Sequence, residues 1–188
     1  IRHGIGPGGR ALFLMPAAEY AHFTDDDLGA VIAFLKALPP VNRASPSIAP
    51  GPVARLLLAT GRMRLAADEI DHAGLRPSTV RPGATADYGR YLAAACMGCH
   101  GANFSGGRIA AGPPSWPAAA NLTPEPGGRL AAWTEAEFIA TLRSGRRPDG
   151  SALDPVMPRT FGQMDNVELE AIWLFLKTLP PAPTGVRR

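Results

Sequence analysis

Hydrophobic residues recur at the spacing of an α-helix in three segments of the second half of the chain. Each segment starts at a residue that can cap a helix, and two of the caps are followed three positions later by glutamate, the pattern of a capping box. The caps are Thr85, Thr134 with Glu137, and Asp165 with Glu168. Gly145 and the pair Pro180 and Pro181 give stop signals after the second and third segments. The pattern predicts three short helices that persist only when they pack in a tertiary structure.

The third segment has a counterpart near the start of the chain. The sequence LGAVIAFLKALPP, which begins at Leu28, aligns without gaps with LEAIWLFLKTLPP, which begins at Leu169. At the same offset IRHGIGPGGRAL, at Ile1, aligns with LRSGRRPDGSAL, at Leu142, and both copies then reach a Met-Pro pair after a slip of one residue. We interpret this repeat as half a domain, because the part of the second copy that precedes Leu142 has no counterpart ahead of Ile1.

Four segments follow from this interpretation. We expect residues 1–40 to be the C-terminal half of a first domain, 41–84 a linker, 85–181 a complete domain and 182–188 a tail. The linker is rich in Pro and Ser, and its apolar pattern predicts a short amphipathic helix over 53–67. That helix fits either a strap packed between domains, which we favour, or a helix that lies on a membrane surface.

The composition supports short helices joined by long loops, and hence an all-α fold. The 188 residues are 46% hydrophobic, enough for a packed core, and they include 21 Gly and 20 Pro, while alternating strand patterns are scarce. The net charge of +3 comes mainly from arginine with no run of five basic residues, so we expect no nucleic-acid partner. No run of about 18 apolar residues predicts a membrane span. The chain begins at Ile1 without an initiator Met, so we expect a processed or incomplete product.

The sequence CMGCH holds both cysteines of the chain, Cys96 and Cys99, followed directly by His100. Cys-x-x-Cys-His is the attachment signature of c-type haem, because two thiols at this spacing reach the two vinyl groups of one porphyrin and place the histidine under the iron. A redox dithiol or half a zinc site is the alternative, but no second thiol pair and no thioredoxin-like pattern accompany it. A disulfide across this spacing would be strained and would leave His100 unexplained.

A methionine is a common sixth ligand of an electron-transfer haem, because its soft sulfur favours the reduced iron. Met157 is the preferred candidate, since it lies in the proline-flanked loop DPVMPRTFG and its repeat partner Met15 has the same surroundings. Met164 has no counterpart in the first copy. We expect Met63, Met97 and Met164 to fill gaps in the core.

Further motifs surround the CMGCH. They are Gly89 with Tyr91, GANFSGG after the histidine, NLTPEPGG at Asn121, WTEAEF at Trp133, LRSGRRPDG at Leu142, the Met157-Pro158 pair and the closing LKTLPP. With these, the chain resembles the class I cytochrome c family, and more closely the bacterial multi-domain c-type cytochromes that accompany periplasmic dehydrogenases and respiratory complexes. The resemblance covers 85–181 as a whole domain and 1–40 as the second half of another.

The resemblance implies a cytochrome c fold and roles for several residues. It implies that Gly89 of the first helix packs on an aromatic residue of the last helix, Trp173 or Phe175. It also implies that a carbonyl at Gly112 or Pro113 accepts the imidazole proton of the proximal ligand. The residues that it implies as neighbours of the haem propionates are Asn121, Trp133 and Arg143.

For function, the resemblance implies electron transfer by a His/Met-ligated haem c, so the chain is predicted to be an electron carrier and not an enzyme. The implied partners are a dehydrogenase or a respiratory or photosynthetic complex and other cytochromes, with membrane association only through a missing segment or a partner. Haem c is attached outside the bacterial cytoplasm, which implies the periplasm. Two alternatives stay open: a peroxidase-like haem enzyme with a displaceable sixth ligand, against which Met157 argues, and a structural subunit whose haem exchanges no electrons.

The first copy raises the question of a second haem. It has the Met-Pro loop and the closing helix, yet no Cys-x-x-Cys-His precedes them in this sequence. We favour the account in which the chain extends upstream of Ile1, where a second haem c is attached, and Met15 is its distal ligand. Otherwise Met15 is a relic in a poorly stable half domain, which would lack a cofactor to close its core.

Overall fold

The computed structural model describes residues 1–44, 48–74, 76, 78–109 and 112–185, and these form eight α-helices. The chain divides into two compact units, Ile1–Thr79 and Val80–Arg188. The first unit contains α1 (Ala17–Tyr20), α2 (Asp25–Ala37), α3 (Pro52–Ala59) and α4 (Ala66–Glu69). The second contains α5 (Ala86–Ala93), α6 (Met97–His100), α7 (Glu135–Ser144) and α8 (Asn166–Thr178), with 3₁₀ turns at Ala94–Cys96, Arg129–Ala131 and Arg159–Gln163. The described residues contain isolated β-bridges but no strand, which confirms the predicted all-α class.

The caps predicted for the second unit are all formed. The hydroxyl of Thr85 accepts the N–H of Tyr88 at 3.3 Å at the start of α5. At the start of α8, the Asp165 carboxylate accepts the N–H of Glu168, whose own carboxylate accepts the N–H of Asp165, both at 2.8 Å. The Thr134 capping box opens α7 in the same reciprocal way. These bonds satisfy backbone donors that a helix start leaves without partners.

Helices α5 and α8 cross at the centre of the second unit, where Gly89 makes the close approach possible. A β-carbon on Gly89 would lie 1.8 Å from the carbonyl oxygen of Ala171. The atoms nearest to this position are therefore backbone atoms of α8, and the contact with Trp173 or Phe175 that the resemblance implies stays a prediction. The rings of Trp173 and Phe175 pack with Phe138 and Phe104, respectively, at centroid distances of 5.5 Å in each pair. Around this crossing lies the hydrophobic core of the unit.

The internal repeat is visible in the hydrogen bonds of both units. In the first unit the N–H of Gly6 donates to the carbonyl oxygen of Arg10 at 2.9 Å. At the equivalent position of the second unit, the N–H of Arg147 donates to the carbonyl oxygen of Ser151 at 2.8 Å. The isolated bridges Ile5 to Ala11 and Arg146 to Ala152 coincide as well. Helices α2 and α8 are both 13 residues long and start after equivalent caps, Thr24 and Asp165. The repeat is therefore a structural repeat as well as a sequence repeat.

The equivalent helices differ in how they are covered. On α8, Phe175 and Leu176 are 5% and 2% exposed, because they face the core of the second unit. Their counterparts on α2, Phe34 and Leu35, are 66% and 51% exposed. Only Leu28, near the start of α2, is buried. Helix α2 thus carries the sequence of a core helix with most of its apolar face uncovered by the described residues.

The amphipathic helix predicted over 53–67 is shorter than expected. It ends at Ala59, because Gly61 follows in the left-handed region at φ +68° and the chain turns before α4. The later part of the linker packs within the first unit: Arg76 donates to the carbonyl of Ala21 at 2.6 Å, and His72 contacts His3 at 2.9 Å. Residues up to Thr79 therefore belong structurally to the first unit.

Among the described residues, none of the helices has both the length and the apolar character needed to cross a bilayer.

Candidate functional site

The end of α5 brings the CMGCH sequence to one wall of a cleft in the second unit. The 3₁₀ turn that ends at Cys96 leads directly into α6, which ends at His100, and Gly101 then leaves the helix at φ +81°. Both cysteines and His100 line the same cleft, as does Met157 from the loop before α8. Two thiols, an imidazole and a thioether therefore converge on one space.

The environment of His100 fixes its protonation. The ring is 7% exposed, and its Nδ1 lies 2.8 Å from the carbonyl oxygen of Ala120. A carbonyl can only accept a hydrogen bond, so Nδ1 carries the proton and Nε2 keeps its lone pair. Burial lowers the pKa of His100, and the bond to Ala120 opposes that shift. The result is a neutral imidazole with the free nitrogen that a metal requires.

The partner of His100 corrects the expectation of a carbonyl at Gly112 or Pro113. A backbone bridge pairs Gly107, shortly after His100, with Ala119. It brings the carbonyl of the next residue, Ala120, to the His100 ring. Pro113 is exposed and lies outside the cleft lining.

Sequence reasoning missed Ala120 because a carbonyl acceptor has no side-chain signature. The available signal was the pair Gly106 and Gly107, which permits close backbone approach. A β-carbon on Gly106 would lie 2.4 Å from the carbonyl oxygens of both Ala119 and Ala120.

The cleft is apolar and has an empty volume of about 920 Å³, part of which is open to solvent. Leu130 and Phe138, which belong to the core of the unit, form part of its wall. Ile109, Leu142, Leu153 and Val156 also line it. A cleft with this apolar lining fits an apolar group better than a hydrated ion.

The two methionines considered as sixth ligand occupy different places. Met157 lines the cleft, and its N–H donates to the carbonyl of Asp154 at 2.9 Å in the turn that presents it. Met164 packs against the hydrophobic core and is not among the residues that line the cleft. The Pro-flanked loop thus brings only Met157 of this pair to the space that His100 also faces.

Two of the three residues implied as propionate neighbours line the cleft, and one does not. Trp133 is half-buried in its wall. Asn121 is 4% exposed, and its side chain accepts from the N–H of Thr123 at 2.9 Å and donates to the carbonyl of Ala182 at 2.7 Å. Arg143 lies outside the lining.

The position of Arg143 is explained by the repeat. Its guanidinium donates to the carbonyl of Gly162 and, at 2.9 Å, to the side chain of Asn166 at the start of α8. At the equivalent positions of the first unit, Arg2 forms an ion pair with Asp25 at 2.8 Å. Each arginine therefore contacts the start of the closing helix of its unit. The arginines that line the cleft are Arg129 and Arg147.

A further cleft residue, Thr141, was not singled out by its sequence. Its side chain is 3% exposed, and among the described residues its hydroxyl is the buried side-chain polar atom without a hydrogen-bond partner. Such a group costs about 1–3 kcal/mol when it stays unsatisfied. Because Thr141 lines the cleft, a group bound there could supply the partner.

Met15 lies in a groove of the first unit. The groove is lined by the loop from Gly6 to Met15, by Ile48 and Pro50, and by Leu58 of α3. Met157 and its preceding loop occupy the equivalent positions in the cleft of the second unit.

Comparison with known proteins identifies a matching family and several relatives of this chain. The sequence model of the cytochrome c family matches residues 86–180, about half of the chain. The cytochrome c subunit of a quinone alcohol dehydrogenase from Gluconacetobacter polyoxogenes is 33% identical over 85 residues, which are 43% of this chain and 18% of that protein. The corresponding subunit from Komagataeibacter europaeus gives the same values. A nicotinate dehydrogenase subunit from Pseudomonas putida is 32% identical over 102 residues, 50% of this chain and 8% of that protein.

Proposed function

Because this chain belongs to the cytochrome c family, we propose that its second unit is an electron carrier with one covalently attached haem c. The observation that carries the proposal is the convergence of two thiols, a buried neutral imidazole and a thioether on one apolar cleft. A haem c bound there supplies one-electron redox chemistry, and the protein sets its ligands and its surroundings.

Each residue has a distinct role in this proposal. Cys96 and Cys99 provide the two covalent attachments, and His100 provides the proximal ligand through Nε2. Ala120 holds the imidazole in the required tautomer, which orients a metal-ligating histidine. Met157 provides the distal ligand. His100 and Met157 would together occupy the iron positions that a substrate would need, which favours a carrier over a peroxidase-like enzyme.

The rest of the cleft fits the same group. Its apolar wall suits the porphyrin, and Arg129 and Arg147 offer positive charge to the carboxylates that a haem carries. Trp133 and Asn121 lie in the same wall. The unsatisfied hydroxyl of Thr141 indicates that the cleft is built to hold something polar at that point.

The relatives suggest the setting of this carrier. Their names describe cytochrome c subunits of a quinone alcohol dehydrogenase and a subunit of nicotinate dehydrogenase. We propose that this chain likewise passes electrons between a dehydrogenase and a respiratory or photosynthetic partner, as a relay subunit in the periplasm. The matched part of the chain spans 18% or less of the length of these relatives.

We also propose that the first unit is the C-terminal half of a second cytochrome c domain. The matched hydrogen bonds, the equivalent 13-residue helices and the shared arginine contact support this, together with the position of Met15 in a groove that corresponds to part of the haem cleft. In this proposal Met15 is the distal ligand of a second haem c, attached upstream of Ile1. In the second unit, α5 packs against α8. In this proposal an equivalent helix of the upstream segment packs against the exposed apolar face of α2.

Intact mass and electron-transfer kinetics test the main proposal. The chain is expressed with a haem-attachment system, alone and as the Cys96→Ser/Cys99→Ser variant. We expect the mass of one covalent haem on the parent chain and none on the variant, and rapid stopped-flow reduction by a small reductant followed by reoxidation by an oxidised cytochrome c. A high-spin resting haem that binds peroxide would support the haem enzyme instead, and a haem that exchanges no electrons would support a structural subunit.

A further inference from the structure

Residues 48–64 of the first unit present both apolar and basic side chains to solvent. Val53 and Leu56, one helical turn apart on α3, are 70% and 64% exposed, and Ile48 just before the helix is 64% exposed. The basic members are Arg55 on α3 and Arg62 and Arg64 in the turn that follows. We call this set of six residues the α3 surface.

Local hydrogen bonds hold the α3 surface together. The guanidinium of Arg55 donates to the carbonyl of Pro50 at 2.8 Å, which ties the helix to the segment that carries Ile48. After the helix, the N–H groups of Thr60 and Met63 donate to carbonyls of α3 at 3.0 Å, so the turn folds back on it. Leu57 and Leu58 are half-buried and turn the other side of the helix toward the unit. The exposed apolar residues are therefore a fixed feature of the fold.

These residues are more exposed than the large hydrophobic side chains described in the second unit, and similar in exposure to Leu14, Phe34 and Val41 of the first unit. In the described residues of the second unit, the large hydrophobic side chains counted as exposed are Trp116 and Val167, at 43% and 42%. Each of the three apolar residues of the α3 surface is at least 64% exposed. Solvent-facing aliphatic residues of this kind mark a place where something apolar is contacted.

The charged residues in and around the α3 surface are all basic. No Asp or Glu occurs between Asp27 and Asp68, and every charged residue between them is Lys or Arg. Arg55, Arg62 and Arg64 are all exposed. The partner of the α3 surface should therefore combine negative charge with an apolar layer directly beneath it.

We propose that the α3 surface docks this protein on an anionic lipid bilayer. Val53, Leu56 and Ile48 enter the boundary between headgroups and acyl chains, while the arginines contact lipid phosphates, the arrangement of an amphipathic helix that lies in the interface. A nucleic acid also attracts arginine, but it offers no apolar layer for the aliphatic side chains. The proposal concerns the polypeptide of the first unit and is independent of haem binding.

Vesicle sedimentation of the haem-loaded protein tests the proposal. Vesicles of phosphatidylcholine with about 30% phosphatidylglycerol are compared with vesicles of phosphatidylcholine alone, at low and high salt. We expect binding to the anionic vesicles only, weakened by salt, because screening shortens the reach of the charges. Arg62→Gln/Arg64→Gln should lower the partition coefficient about fivefold for each charge removed. Val53→Ser/Leu56→Ser should lower it on the order of tenfold or more.

A matched control comes from the second unit. Val167→Ser removes an exposed aliphatic side chain, 42% exposed, far from α3 in sequence and should leave vesicle binding unchanged. Circular dichroism and the haem spectrum show whether each variant is folded, and the substituted side chains are exposed, so we expect all of them to be. The proposal is overturned if the parent protein does not bind anionic vesicles, if it binds neutral vesicles equally well, if it binds duplex DNA as tightly, or if the α3 variants bind as well as the parent.

Discussion

Gly89 and Ala171 are in such close contact that no β-carbon fits between them: one built on Gly89 would lie 1.8 Å from the Ala171 carbonyl oxygen. The contact fixes the crossing of α5 and α8. Since the CMGCH sequence follows α5 directly, the same contact sets where the two thiols and His100 enter the cleft. Packing in the core and the geometry of the site are thus controlled by one glycine.

Gly89→Ala should therefore destabilise the protein by about 3 kcal/mol or more, because the neighbour that blocks the new methyl group is backbone and cannot rotate away. Thermal unfolding followed by far-ultraviolet circular dichroism measures the loss. Gly29→Ala on α2 is the matched control: it is also a glycine within a helix, but a β-carbon there meets nothing within 4 Å. We expect it to be neutral or to stabilise by about 0.5–1 kcal/mol. Equal effects of the two substitutions would contradict the backbone contact.

Thr141 tests whether the cleft binds a polar group at that point. An unsatisfied hydroxyl is costly, so Thr141→Val should stabilise a protein whose cleft offers no partner. If the bound haem supplies the partner, Thr141→Val should instead lower the stability of the haem-loaded protein by about 1 kcal/mol, and Thr141→Ser should restore most of it. Denaturant unfolding of the three loaded proteins distinguishes the outcomes, and a more stable Thr141→Val protein would rule out a hydrogen bond to the bound group.

His3 and His72 make the first unit sensitive to acid. His72 Nε2 lies 2.9 Å from the carbonyl of Ala67 and donates to it, and His72 Nδ1 lies 2.9 Å from Nδ1 of His3. Desolvation lowers the pKa of His3 below its ordinary 6.5, and the charges of His72, Arg76 and Arg2 lower it further. The unfolded chain then binds a proton before the folded one does.

The stability associated with His3 is consequently present above pH 6.5 and lost as the pH falls from there through the lowered pKa. Proton NMR titration of the imidazole signals should give His3 a pKa below 6.5. His72→Gln should raise that pKa only in part, because desolvation, the largest cause, remains. A His3 pKa at or above 6.5 in the parent protein would be incompatible with the observed contact.

Glu137 gives a second contribution to stability that is lost on acidification, in a lower pH range than that of His3. The N–H and hydroxyl of Thr134 donate to its carboxylate, which holds the pKa of Glu137 below its ordinary 4.5. The contribution of this cap is present above pH 4.5 and disappears as the pH falls through the lowered pKa. Melting temperatures measured from pH 3 to 7 should therefore drop less steeply on acidification in Glu137→Gln than in the parent. Parallel profiles would mean that the carboxylate does not cap α7 in solution.

The sequence was most informative where side-chain type determines local structure. Caps such as Thr85 and Asp165 form because a short polar side chain next to free N–H groups has few other options. Cys96, Cys99 and His100 were identifiable because thiol and imidazole chemistry is rare and closely spaced here. Met157 lies in the cleft as its Pro-flanked loop suggested, although its role as a ligand stays a prediction.

The sequence was least informative where backbone atoms or long-range contacts decide. Ala120 was missed because any residue has a carbonyl. Arg143 was expected beside the cleft because the resemblance implied it as a neighbour of the propionates, but its guanidinium donates to Gly162, in the 3₁₀ turn before α8, and to Asn166 at the start of α8. The helix predicted over 53–67 was too long because Gly61 takes up a left-handed conformation that apolar periodicity does not record.

The visible spectrum of the oxidised, haem-loaded protein is the most direct test of ligation by His100 and Met157. A methionine bound to oxidised haem iron gives a weak band in the near red. We predict that the parent protein and Met164→Ala both show this band and that Met157→Ala loses it while keeping its covalent haem. Loss of the band in Met164→Ala, or its absence from the parent protein, would contradict the proposed ligand set.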